Sequence, residues 1–172
     1  MKYLTIEDLK EIGQISRNCD IEKLNIAEME AFNFDLTPLI DCYSIEISNN
    51  WKSEDGIWNN VINPKNFDTK DCKNCGYHKG LKSVLAYFTF ARYMILNEFN
   101  DTPNGNVSKS NDFSFPTNYK ALKDRADMYR EMAKYTMEGV VNYMRVNKED
   151  YPLFFPKNSV AKGYGVKIKN VW

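Results

Sequence analysis

The stretch GLKSVLAYFTFARYMILNEF, residues 80–99, is apolar on more than one side when it is wound as a helix. Leu81, Val84, Leu85, Phe88, Ile95 and Phe99 form one stripe at helical spacing, while Tyr87, Phe90 and Met94 form a second. A helix with two apolar stripes is surrounded by partners instead of lying on a surface. The stretch therefore predicts the central helix of a mainly α fold. Arg92 interrupts its apolar run, which falls short of the ~20 residues that a bilayer requires, so no membrane span is expected.

Toward the N-terminus the same logic finds shorter helices. Thr5 can cap a first one, with Glu7 and Asp8 at its positive end, Leu9 and Ile12 on one face and Gly13 as its stop. Asp20 caps a second, whose apolar face is read as Ile21, Leu24, Ala27, Ala31 and Phe34. Thr37 and Pro38 predict a fresh start, since Pro at the first helical position loses nothing by lacking its N–H. A further short helix runs from Ser53 through Trp58 to Ile62. The segment 63–77, rich in Asn, Lys, Asp and Gly, reads as a loop or short hairpin.

Toward the C-terminus, residues 100–118 form a long polar connection, and such lengths usually carry a function or no fixed structure. The longest helix follows, from about Asn118 to Arg145. Tyr119, Leu122, Ala126, Tyr129, Ala133, Met137, Val140 and Met144 line its inner face, and Lys123, Asp124, Asp127, Arg130, Glu131 and Lys134 its solvated side. Pro152 and Pro156 stop any helix beyond Asp150. GYGVKIKNVW then alternates Tyr164, Val166 and Ile168 with Gly165, Lys167 and Lys169, as a strand does. The expected architecture is a helical bundle with a long mid-chain loop, a small hairpin-like segment and a C-terminal strand or tail. Residues 1–150 are the helical domain and 151–172 the extended tail.

The chemistry-bearing residues are few. Cys72, Cys75 and His78, in DCKNCGYHKG, are candidate metal ligands, but a structural zinc site takes four ligands, typically as two close pairs. Cys19 and Cys42 fall on separate helices, so the stretch reads as a turn leading into the central helix, and no metal or other cofactor is expected. The N-terminus MKYLTIEDLKEIG is charged and helical and lacks an apolar leader core, so a cytosolic setting with reduced thiols and no disulfide framework is expected. A single histidine leaves little room for a nucleophile–base relay. Phosphate-loop, HExxH and GxSxG patterns are absent, so no enzyme is expected. With 23 basic and 23 acidic residues there is no broad basic field for nucleic acid. Interaction surfaces are the better reading, in the long connection through Phe113 and Phe115 and in the tail through Tyr164, Val166, Ile168, Val171 and Trp172.

The ordered set KYLTIEDLK (2–10), HKGLKSVLAYFTFARYMI (78–95), NDTPNGNVSKSNDFSFP (100–116) and YMRVNKEDYPLF (143–154) resembles one family. It is similar to the small helical head–tail connector, or tail-vertex ring, proteins of crAss-like and related tailed phages. The resemblance spans roughly Met1 to Phe155. It implies a structural virion protein that forms a homo-oligomeric ring, commonly a dodecamer, under the portal protein. Such a ring extends the DNA channel and docks the next tail or ring protein, while genomic DNA passes through its lumen without specific binding. It would be found at the tail vertex of the virion, and in the bacterial host cytoplasm during assembly. The CKNC element departs from the family, in which the segment before HKGLK is generally variable. Two other readings stand beside this one: a cytosolic helical adaptor binding one protein through its C-terminal tail, and a zinc-knuckle nucleic-acid module using Cys72, Cys75 and His78.

Overall fold

The computed structural model describes residues 1–13, 15, 19–69, 72–102, 105–108 and 118–154, with the backbone alone at 99–102 and 105–108. The fold is mainly α. Helices α1 (Ile6–Lys10), α2 (Ile21–Glu30), α3 (Thr37–Ile40), α4 (Ser44–Asn49) and α5 (Gly56–Ile62) lead to a hairpin of β1 (Lys65–Phe67) and β2 (Gly76–His78). The long α6 (Gly80–Glu98), a second hairpin of β3 (Phe99–Thr102) and β4 (Gly105–Ser108), and α7 (Tyr119–Val146) complete it. Both hairpins are antiparallel, with Lys65 opposite His78 in the first and Phe99 opposite Ser108 in the second.

Helix α6 occupies the centre, as its two stripes predict. It packs along α7, α2 and the turn after α2, with α1 and α5 closing its sides. Leu81, Val84, Leu85 and Ala91 are fully or almost fully removed from water, which stabilises the fold by about 1.5–3 kcal/mol for each large apolar side chain. Phe90 joins Ala91, Ala126 and Tyr129 in a smaller cluster between α6 and α7. Gly80 starts α6 at φ +79°, and a Cβ there would lie 2.3 Å from the Ile62 carbonyl oxygen. Only glycine fits both that conformation and that approach.

At the N-terminus Thr5 and Asp8 form a reciprocal capping box on α1. The three residues before it are held by a buried acid. Glu28, 1% exposed on α2, accepts backbone N–H bonds from Tyr3 (3.1 Å) and Leu4 (2.7 Å) on Oε1 and from Lys2 (2.6 Å) on Oε2. Trp51 Nε1 donates to the Tyr3 carbonyl, and the Tyr3 ring stacks on Phe32 at 4.1 Å. An apolar periodicity does not single out an acid on the buried face, where Glu28 lies between Leu24 and Ala31.

The sequence reading needs correction between residues 31 and 40. Thr37 is not an N-cap: α2 continues through a π-helical turn, Ala31–Leu36, directly into α3. Pro38 has no N–H to give to the carbonyl four residues back, and its ring crowds that carbonyl. A π turn, with its longer bond from Thr37 N–H to the Phe32 carbonyl, accommodates it. The extra residue in the turn also changes the buried face. Phe32 and Leu36 go inside, whereas Phe34 is 68% exposed. Ile21, at the start of α2 and ahead of the turn, also lies at the surface instead of on the buried face.

The mid-chain connection also differs from expectation, because part of it is the β3–β4 hairpin. Strands of four mostly polar residues, FNDT and GNVS, are too short to show an alternation, so the sequence there reads as a polar connection. Phe113 and Phe115, and the whole tail strand with Tyr164, Val166, Ile168, Val171 and Trp172, lie outside the described residues. The described chain ends on a firm anchor. Tyr151 is fully buried, its hydroxyl donates to the Ile57 carbonyl, and the Leu153 N–H donates to the Tyr43 hydroxyl.

Candidate interaction groove

The inner face of α7 is buried as read, from Leu122 to Met144, apart from Tyr119 at the exposed first turn. The side read as a solvated charged face is more mixed. Met128, Met132 and Tyr135 recur there at spacings of four and three, a second apolar stripe between the charges. Tyr135 is 79% exposed, and both methionines are also at the surface. With Tyr77 of β2 and Tyr87 of α6 they line a groove of about 650 Å³. Glu131 and Glu138 of α7 and Lys79 also line it, together with Gly139 and His78, which lie close against each other. The charged pairs Arg130–Asp127 and Lys134–Glu131, at 2.7 and 2.6 Å, run along the same helix and hold its polar side chains in place.

This composition suits protein contact. Exposed tyrosine and methionine offer large adaptable apolar area, and both are enriched where proteins bind one another. A second, smaller apolar patch on α2 and the π turn combines Ile26, Met29 and Phe34. Behind it Arg92 of α6 holds Asp35 with two bonds (2.6 and 3.1 Å) and Glu30 with one (2.9 Å), and its guanidinium lies 5.8 Å from the Phe34 ring centre. The Asp35 bond is the largest influence keeping Arg92 charged, raising its pKa against the opposing effect of burial.

The candidate ligands do not converge. His78 is 2% exposed, with its ring 4.8 Å from that of Tyr143 and 6.0 Å from that of Phe67. Its Nδ1 accepts the Gly80 N–H at 3.1 Å, which orients the first turn of α6. Burial lowers its pKa to about 4. The Asn60 carbonyl works against that shift, yet Nε2 makes no hydrogen bond of good geometry. Cys72 and Cys75 sit instead at the exposed hairpin turn and are joined in a disulfide. That corrects the expectation of reduced thiols: the turn brings their Cα atoms to 5.5 Å, within the range a disulfide spans. Among the described residues no three His, Cys, Asp or Glu side chains gather in metal-binding geometry.

The family described as "Family of unknown function (DUF6712)" matches residues 46–164. The chain belongs to that family. The match begins within α4 and takes in both hairpins, α6 and α7, so every residue lining the groove falls inside it, whereas the Glu28 clamp and the π turn lie before it. No curated protein and no solved structure matches the chain. No helix among the described residues is long and apolar enough to cross a membrane.

Proposed function

We propose that this chain is a structural virion protein that forms a homo-oligomeric ring beneath the portal, extends the DNA channel and docks the tail. The observation that carries the proposal is the exposed tyrosine–methionine groove along α7. Exposed tyrosine and methionine are the residues that protein-binding faces favour, and identical wedges that bury such a groove against a neighbour close into a ring by symmetry. The resemblance of roughly Met1 to Phe155 to tail-vertex ring proteins supplies the assembly. The helical body serves as the wedge, and the groove and the tail serve as its contacts.

Quantitative mass spectrometry on purified phage particles of the source system tests this directly. A copy number equal to that of the portal protein supports the ring. Absence from the particle ends the proposal and leaves the groove to an adaptor that binds one partner in the cell. Met132→Glu with Tyr135→Glu separates folding from assembly. Both residues are exposed, so the melting temperature should hold while incorporation into particles is lost.

A further inference from the structure

We infer that Cys72 and Cys75 form a reversible thiol–disulfide exchange site for small thiols such as glutathione, independent of the vertex proposal. Three observations carry this. Residues 72–75 are all exposed, so an attacking thiolate reaches either sulfur. The turn that presents them is held without the sulfur bridge. Thr69 and Cys72 exchange backbone bonds at 2.9 and 3.4 Å, Thr69 Oγ1 donates to the Cys72 carbonyl at 3.1 Å, and the Asn74 N–H donates to Asp68 Oδ1 at 2.8 Å. Finally, both sulfurs lie 3.6 Å from the Lys73 carbonyl oxygen, which can accept from either S–H once the bridge is open.

The same frame thus fits both redox states. Opening the bridge releases little, because it closes a loop of only four residues and the hairpin is fastened to the core elsewhere, through Phe67 and His78 on Tyr143. The bridge is therefore not needed to hold the fold, and the nearby sulfurs re-form it readily. The exchange balances in two steps. A glutathione thiolate attacks one sulfur, the Cys72–Cys75 bond breaks, and the other cysteine leaves as a thiolate beside a mixed disulfide. A second glutathione thiolate attacks the glutathione sulfur of that mixed disulfide, giving glutathione disulfide and the second cysteine thiolate. The two thiolates take up the two protons released by glutathione. Of the remaining cysteines, Cys42 lies at the surface with its pKa raised by partial desolvation and by Asp41, which lowers its thiolate fraction.

The test uses the full chain equilibrated in a series of glutathione buffers, quenched with acid, alkylated with N-ethylmaleimide and mapped by peptide mass spectrometry. The ratio of reduced to oxidised Cys72–Cys75 should rise about tenfold for each tenfold rise in [GSH]²/[GSSG], and should return on reoxidation. Circular dichroism and the melting temperature should stay nearly unchanged across the series. Cys72→Ser should convert Cys75 into a stable glutathione adduct under oxidising buffer. A pair that stays bridged until the protein unfolds would make the disulfide a structural staple and overturn the inference. A pair that stays fully alkylatable in excess glutathione disulfide would overturn it equally.

Discussion

Replacing Glu28 tests whether the N-terminus is held by one buried carboxylate. Tyr3 and Leu4 donate to the same oxygen, Oε1, from buried positions, whereas Lys2 donates to Oε2 from a partly exposed one. Glu28→Ala leaves two buried N–H groups without a partner, at about 1–3 kcal/mol each, and leaves a small void. The expected loss is about 3–5 kcal/mol, a large share of the ~5–15 kcal/mol by which domains are stable. Glu28→Gln keeps a carbonyl oxygen for Tyr3 and Leu4 and gives up only the Lys2 bond, so it should lose about 1 kcal/mol. Urea unfolding followed by circular dichroism and by tryptophan fluorescence measures both, since Trp51 reports on Tyr3 through its own hydrogen bond. The reasoning fails if Glu28→Ala lies within about 1 kcal/mol of the parent, or if Gln costs as much as Ala.

Other perturbations act on separate parts of the fold. His78 is buried neutral with its pKa lowered to about 4 from 6.5, so its contribution is fully present above pH 6.5 and is lost as pH falls toward 4. That span is worth roughly 3 kcal/mol, and the stability gap between parent and His78→Leu should narrow between about pH 7.5 and about pH 5 in urea titrations. Gly80→Ala places a Cβ 2.3 Å from the Ile62 carbonyl oxygen at φ +79°, and thermal unfolding should show a loss of about 3 kcal/mol or more, or no folded protein. Arg92→Lys cannot span Asp35 and Glu30 together, so it should recover little of the roughly 1–3 kcal/mol lost in Arg92→Ala, as judged by chemical denaturation.

Much of this architecture was legible where local signals and burial agree. The double stripe of residues 80–98 gave α6 its central place, Thr5 and Asp20 cap the helices they were expected to cap, and the 63–77 segment contains a hairpin. The misses have physical causes. Thr37–Pro38 carries a genuine start signal, but tertiary packing kept the chain helical by widening one turn. The β3 and β4 strands are four residues each, with one large apolar residue apiece (Phe99 and Val107), too short to leave a period to detect. Met128, Met132 and Tyr135 were masked by the charges interleaved with them, although their spacing was visible. Cys72 and Cys75 were correctly placed on a turn, but spacing alone did not distinguish a bridge from two thiols.

The π turn has a consequence for how the α2–α3 rod keeps one side inward. Its buried residues include Leu24, Glu28, Phe32, Leu36 and Ile40, a strict beat of four. An α-helix completes a turn in 3.6 residues, so each step of four overshoots by about 40°, and four steps would carry the stripe about 160° around the rod. A rod wound only as α-helix would begin on the core and end facing water. One slack turn holds one extra residue and absorbs about 100° of that overshoot, so Ile40 stays within about 60° of Leu24 and the stripe keeps to one side. Deleting one residue from 33–35 would therefore close the π turn without turning the rod. The beat becomes four, four, three and four, which an α-helix keeps within about 60° of Leu24. The cost would fall on Pro38, whose ring would crowd the carbonyl four residues back.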